Sequence, residues 1–231
     1  MVVLLSRCLC LAALTACTLP TEVVVSEPPA ANASSSATTA DGGTATDIAC
    51  APASAEGWTA TWVPPTGASQ GACAAQDLSN LYAACFGSSA TDDTCNSYQS
   101  NNPTCAACVL TASTATSWGP VVVFGDTTTI NQPGCLALVD PAEGTCAQAA
   151  QAQTECEHAL CDPSCPVSDS ASLTAWQQCV AQADNGACAA YGGSTCLASA
   201  LAADGGGDAC GGADFATAFT AVATVFCGSS N

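Results

Sequence analysis

The sequence predicts a mainly α-helical, disulfide-rich domain with a minor β-hairpin, and three observations lead to that fold class. Leu, Ile, Val and Phe make up only about 14 percent of residues 50–231, under the level of about 20 percent at which highly charged chains usually stay disordered. The same stretch contains 16 cysteines, a density typical of disulfide scaffolds. Segments with helical periodicity outnumber segments that alternate like strands. We therefore expect a small helical core that covalent cross-links stabilise.

All the cysteines of this stretch are predicted to form disulfides, about eight in number. Each cross-link restricts the unfolded chain and stabilises the fold by about 2–4 kcal/mol. The spacing leaves open which cysteine pairs with which. The predicted disulfide cysteines are Cys50, Cys73, Cys85, Cys95, Cys105, Cys108, Cys135, Cys146, Cys156, Cys161, Cys165, Cys179, Cys188, Cys196, Cys210 and Cys227.

Four segments carry the clearest helical signals, over residues 72–85, about 141–160, about 170–183 and 215–227. The second is predicted to start with Asp140 as N-cap, Pro141 as first helical residue and Glu143 closing a capping box. Its outward face is predicted to include Gln151 and Glu155, and its inward face Cys146, Ala149, Ala150, Gln153 and Cys156.

Two segments favour extended structure. Residues 121–124 and 127–130 flank Gly125-Asp126 and predict a β-hairpin. Residues 56–63 also predict a strand, because Trp58, Ala60 and Trp62 would share one face of it.

The charge balance excludes several classes of function. The chain has one Lys or Arg, which is Arg7, against 19 Asp and Glu, for a formal net charge of −18. Binding to nucleic acid depends on Lys and Arg that neutralise phosphates, so we expect no nucleic-acid partner. Once Arg7 is removed with the signal peptide, no lysine remains to form a Schiff base. No lysine or arginine remains to bind a phosphate group either.

The N-terminus predicts export. Arg7 precedes a short apolar run over residues 8–14, as in a signal peptide. The run ends in Leu14-Thr15-Ala16-Cys17, which resembles the lipobox of bacterial lipoproteins. That resemblance implies removal of residues 1–16, acylation of Cys17 and, because Thr18 rather than Asp follows, anchoring at the outer membrane or cell surface. The alternative is ordinary cleavage and free secretion.

Residues 17–49 are predicted to form the lipidated cysteine and a flexible Ser/Thr/Ala/Pro tether. Residues 50–231 are predicted to form the helical domain that disulfides cross-link. The composition of that domain is similar to Ala/Gly/Cys-rich secreted proteins of myxobacteria. This second resemblance covers composition only and implies no activity.

Three groups of residues in the sequence are candidates for a functional site. Cys105 and Cys108 have the C-x-x-C spacing of thiol oxidoreductases, and with Cys161 and Cys165 they match a four-thiolate zinc site. The absence of nearby basic residues and the predicted export favour structural disulfides instead.

The other two groups centre on the single histidine and on an acidic loop. His158 lacks any motif that supplies a nucleophile, and we expect it to be a half-exposed helix residue. The glycine-rich loop from Asp204 to Asp208, with Asp214 beyond it, does not follow the EF-hand spacing for calcium. We therefore expect no catalytic, cofactor or metal site.

These observations lead us to expect an exported, lipid-anchored structural or interaction protein of the cell surface, with a protein or other cell-surface partner. Two alternatives stay open: a secreted hydrolase that uses paired carboxylates, and a calcium- or small-ligand-binding module. A pocket in which carboxylates converge would favour a site, whereas a flat apolar patch would favour a protein interface.

The lipobox leads to the first testable prediction. Replacing Cys17 with Ala removes the thioether site for diacylglycerol, and stable anchoring needs more than one acyl chain. We expect the wild-type protein in the membrane fraction and the C17A variant in the soluble fraction, measured by fractionation and immunoblotting. Wild-type protein that is already free in the medium would contradict lipidation.

Overall fold

The computed structural model describes residues 50–229. The predicted signal peptide, the Cys17 lipidation site and the predicted tether all lie outside these residues. Over the described residues the chain is mainly helical and disulfide-rich, which confirms the predicted fold class.

Eight α-helices and one three-stranded sheet make up the regular structure of residues 50–229. The helices are α1 (Ala75–Cys85), α2 (Asp92–Asn101), α3 (Pro103–Val109), α4 (Gln132–Val139), α5 (Gly144–Cys161), α6 (Ser170–Asp184), α7 (Gly193–Ala200) and α8 (Phe215–Cys227). The strands are β1 (Leu110–Ala112), β2 (Val121–Phe124) and β3 (Thr127–Ile130). Short 3₁₀ turns occupy Pro141–Glu143, Ala187–Tyr191 and Asp208–Cys210.

The predicted hairpin is present, and a third strand extends it. β2 pairs antiparallel with β3 from Val121 opposite Ile130 to Phe124 opposite Thr127. Gly125 takes a positive φ of 58° in the turn, a conformation that glycine adopts without strain. β1 pairs in parallel with β2, and the sequence analysis did not predict it.

The largest core lies between α1 and α8, where four aromatic rings replace the missing aliphatic side chains. Phe86 contacts Phe215 and Phe219 with ring centroids 5.4 and 5.5 Å apart, and Tyr82 contacts Phe219 at 5.5 Å. Aromatic pairs at such distances add about 0.5–1.5 kcal/mol each beyond the area that they bury. A few large rings thus compensate for a low aliphatic content.

Helix α5 is the central element of the second half. It packs against α4, α6 and α7. Gly193, the first residue of α7, lies so close to α5 that a Cβ there would overlap the backbone of Ala150. Because neighbours surround α5 on several sides, polar residues that a single-face pattern places outward are buried: Gln151 is 2% exposed.

Eight disulfides join all the cysteines of the described residues. They are Cys50–Cys165, Cys73–Cys105, Cys85–Cys95, Cys108–Cys227, Cys135–Cys210, Cys146–Cys196, Cys156–Cys188 and Cys161–Cys179. Sequence separations between the bonded cysteines run from 10 to 119 residues. The cross-links therefore close both local and chain-wide loops.

Aspartates begin two of the helices in the same way. Asp169 accepts a hydrogen bond from the Ser172 backbone N–H at 2.8 Å at the start of α6. Asp214 does so from Thr217 at 2.8 Å at the start of α8. These backbone hydrogen bonds lower the pKa of both carboxyls below the usual value. Helix N-termini thus stabilise carboxylates in a chain that has no lysine or arginine beyond residue 7.

Two local predictions were wrong. Residues 56–63 are not a strand, because the Thr61 backbone bonds to side chains of α5 rather than to a neighbouring strand: its N–H donates to Glu155 and its C=O accepts from Gln151. The α-helix predicted from Pro141 begins only at Gly144, and a 3₁₀ turn capped by Asp140 precedes it.

The density of disulfides is typical of proteins in oxidising, extracellular environments. Among residues 50–229, no helix combines the length and the apolar character that crossing a bilayer requires.

The disulfide network allows a comparison of two cross-links. Cys108–Cys227 spans 119 residues and Cys85–Cys95 spans 10, and the entropy that a disulfide removes from the unfolded chain grows with loop length. Other disulfides bridge the longer loop and shorten it, so we expect double alanine variants to lose about 4 and about 3 kcal/mol respectively. Urea denaturation measures both losses. A greater loss for the shorter loop would show that native-state packing, rather than loop entropy, dominates.

Candidate functional site

One open cleft in the described residues brings aromatic rings and carboxylates together, with a volume of about 430 Å³. Helix α5 forms one wall and the irregular segment 58–63 forms another. The residues that line the cleft include Trp58, Thr61, Trp118, Phe124, Glu155, His158 and Asp162.

Helical spacing places three of these residues along one face. Glu155 and His158 lie three residues apart in α5, and Asp162, seven residues after Glu155, is the C-cap of α5 and keeps helical backbone angles. Segment 58–63 crosses this face, since Glu155 accepts a hydrogen bond from the Thr61 backbone N–H at 3.2 Å. The cleft is therefore framed by one helix face and one extended stretch of chain.

His158 lies under the hairpin rather than at the surface. It is only 3% exposed, so the expectation of a half-exposed helix residue was wrong. Thr127 and Thr129 alternate with Thr128 along β3, so their side chains share the sheet face that covers α5. The Thr129 hydroxyl lies 3.1 Å from His158 Nε2.

The imidazole is held on both sides by polar partners. Asp162 lies 3.0 Å from His158 Nδ1 through Oδ2. A carboxylate can only accept, so Nδ1 carries a proton and, in the neutral ring, Nε2 accepts from the Thr129 hydroxyl. Phe124 stacks on the ring with centroids 3.8 Å apart and planes at 5°. His158 therefore has a fixed tautomer and a fixed plane.

Asp162 is both anchored and accessible. Its Oδ1 accepts from the Trp176 indole N–H at 2.7 Å, while its side chain remains 33% exposed. Two donors thus orient the carboxylate. The lone pairs that they leave free can face a ligand in the cleft.

Glu155 is the second carboxylate of the cleft and is half-buried. Burial raises its pKa above the usual value, and the hydrogen bonds from the Gln151 side chain and the Thr61 backbone partly offset that rise. The Gln151 amide lies 2.8 Å from the carboxylate. The Glu155 charge is therefore incompletely solvated, and no lysine or arginine neutralises it.

Glu157 and Asp184 form a carboxyl pair between α5 and α6, in which Glu157 is buried and Asp184 is half-buried. Glu157 is 9% exposed. Burial, the Asp184 charge and a hydrogen bond between the two carboxyls raise its pKa well above the usual value, and the Gln153 amide acts in the opposite direction. That amide donates to Asp184 at 2.9 Å. The surroundings of Glu157 therefore favour its protonated form, which can donate to Asp184 across the two helices.

Asp162, His158 and Thr129 follow the order of an acid–base–hydroxyl triad. However, Thr129 is buried and does not line the cleft, whereas His158 and Asp162 do. The hydroxyl is thus not presented to a ligand. The arrangement orients the imidazole and carries no evident nucleophile.

The cysteines of the zinc and thiol-oxidoreductase alternatives are all bonded in disulfides. The four cysteines of the zinc alternative lie in four separate disulfides, and Cys105 is not bonded to Cys108. Among residues 50–229, the one set of three or more close metal-ligating groups consists of the disulfide sulfurs of Cys50, Cys165 and Cys179. The acidic loop contributes no such set in that part of the chain.

The four tryptophans divide between the cleft and the core. Trp58 and Trp118 line the cleft, Trp176 is buried and binds Asp162, and Trp62 packs in a small core with α4, α5 and α7. The role of Asp162 was not predicted from the sequence. The i, i+3, i+7 spacing from Glu155 was the available signal.

Comparison with known proteins identifies no relative: no protein-family model, no curated protein and no solved structure matches the chain.

The carboxyl pair of Glu157 and Asp184 predicts how stability depends on pH. The pKa of Glu157 is raised in the folded state, so its stabilising contribution is complete below its unfolded pKa of about 4.5 and is lost as pH rises through the folded value. A Glu157→Gln variant keeps a donor for Asp184 but cannot ionise. We expect its melting temperature to fall less than that of the wild type between pH 4 and pH 8, and to exceed it at pH 8.

The control for this measurement is Glu56→Gln, which removes one charge from an exposed position. It separates the carboxyl pair from the general repulsion of an acidic chain. If E56Q and E157Q flatten the profile equally, the pair does not set the pH dependence.

Proposed function

We propose that this protein is an exported, lipid-anchored interaction protein of the cell surface that binds a ligand in the cleft between α5 and segment 58–63. The observation that carries the proposal is that two carboxylates, Glu155 and Asp162, line one cavity together with aromatic rings. Ligand sites are typically concave and combine apolar walls with a few oriented polar groups.

Two further features support binding rather than a flat protein interface. Val139, at 37%, is the one exposed large hydrophobic side chain among the described residues, so that part of the surface offers no apolar patch. The cleft walls are also held covalently, because α5 carries Cys146, Cys156 and Cys161 and all three are cross-linked. A rigid site loses less entropy when it binds.

The export part of the proposal rests on the N-terminal signals and the disulfides together. The lipobox at Cys17 supports anchoring, and cross-links of this density persist in oxidising compartments. A surface-anchored chain with a preformed cleft is suited to capture a small molecule or an exposed chemical group outside the cell.

One observation favours hydrolysis as a second candidate function. Glu155, with its raised pKa, has the character of a general acid, and Asp162 lines the same cleft. Against this, both carboxylates already accept hydrogen bonds from the protein, and the cleft is open. We therefore favour binding without turnover.

The test uses the purified protein and three probes of different charge: choline chloride, N-acetylglucosamine and sodium glutarate. We expect at least one to change tryptophan fluorescence, because Trp58 and Trp118 line the cleft. The response should be lost in a Glu155→Gln/Asp162→Asn variant. It should persist in Asp204→Asn/Asp208→Asn, which removes the same charge from an exposed loop.

No response to any probe would contradict the proposed cleft. Hydrolysis of p-nitrophenyl glycosides by the wild type, absent in the Glu155→Gln/Asp162→Asn variant, would replace binding with the hydrolase alternative.

A further inference from the structure

The negative charge of the cleft restricts the chemical class of its ligand. This inference rests on the ligand-binding function proposed for the cleft. It contains two carboxylates, and residues 50–231 contain no lysine or arginine. The only imidazole of the chain, His158, already bonds to Asp162 and Thr129. A lysine or arginine that could neutralise the cleft is therefore absent from residues 50–231, and we expect the positive charge to come from a ligand.

Aromatic surface distinguishes between kinds of cation. Trp58 and Phe124 are partly exposed and line the cleft together with the buried Trp118. The faces of aromatic rings attract cations, and the known sites for quaternary ammonium groups are built from such rings. Strongly hydrated metal ions instead need several oxygen ligands, and among the described residues no set of three close metal-ligating groups includes Glu155 or Asp162.

The size and solvation of the cleft agree with a small organic cation. A volume of about 430 Å³ lies within the usual range for small-molecule sites, about 300–1,000 Å³. Glu155 is half-buried and held against the Thr61 backbone, so its charge is poorly hydrated. A cation beside it would gain more than one beside a fully exposed carboxylate, because the local dielectric constant is lower.

We propose that the cleft binds a small organic ammonium compound, with its charged group between Glu155 and Asp162 and its methyl or methylene groups against Trp58 and Phe124. In this arrangement the carboxylates recognise the positive charge, and the aromatic rings favour an organic cation over a hydrated metal ion.

The experiment compares choline chloride with 3,3-dimethylbutan-1-ol, which has the same shape but no charge, by isothermal titration calorimetry on the purified protein. We expect choline to bind at least tenfold more tightly than the neutral alcohol. Asp162→Asn and Glu155→Gln should each weaken choline binding on the order of tenfold, the effect of about 1.4 kcal/mol. Asp204→Asn serves as the charge-matched control and should bind like the wild type.

A second variant keeps the test independent of any damage to the fold. Trp58→Leu preserves bulk but removes the ring, and it leaves both carboxylates in place. We expect it to weaken choline binding several-fold while the affinity for the neutral alcohol changes little. Circular dichroism and melting temperature establish that each variant is folded.

The outcomes separate this inference from the function on which it rests. Equal binding of choline and its neutral isostere, or binding of N-acetylglucosamine without choline, would overturn the ammonium inference and leave a ligand-binding cleft. Failure of all probes would overturn both.

Discussion

The chain must stabilise its carboxylates without a single lysine or arginine in the folded part, and this constraint recurs throughout the structure. Asp169 and Asp214 begin helices and accept from backbone N–H groups. Burial and the neighbouring Asp184 instead raise the pKa of Glu157, which favours its uncharged form. Glu155 and Asp162, which line the cleft, have hydrogen-bond donors but no permanent cation. A protein with ordinary salt bridges would neutralise such a cleft itself, so the same constraint that shapes the helix ends also leaves the site available to an external charge.

Covalent cross-links substitute for hydrophobic volume in a chain with few aliphatic residues. Small domains with thin cores commonly rely on disulfides, and here most of the disulfide cysteines are themselves buried, including Cys135, Cys156 and Cys227 at 0% exposure. They therefore contribute apolar packing as well as connectivity. Four aromatic rings concentrate between α1 and α8. Buried rings also support the cleft, since Trp176 donates to Asp162 and Trp118 lines the cavity.

Much of the fold follows from local rules, but the cleft depends on tertiary contacts. The hairpin and helix α6 follow from turn residues and periodicity, and the structure has them at Val121–Ile130 and Ser170–Asp184. His158 and Gln151 escaped prediction because α5 is covered on several sides, and a helical wheel assumes one buried face. Asp162 was recognisable as a helix stop, whereas its bonds to His158 and Trp176 require β3 and α6 to be in place. The parallel strand β1 has only three residues and no pattern of its own.

The Cys50–Cys165 disulfide has a mechanical consequence. Residues 51–63 contain no helix or strand, yet they form one wall of the cleft and enter the fold directly after Cys50. A pulling force applied through the residues before Cys50 passes through the disulfide into the loop after α5, and Cys161–Cys179 carries it on to α6. Residues 51–63 therefore lie inside a loop that the disulfide closes between Cys50 and Cys165. Tension applied at Cys50 would reach the loop after α5 without first pulling this wall of the cleft away from the helix.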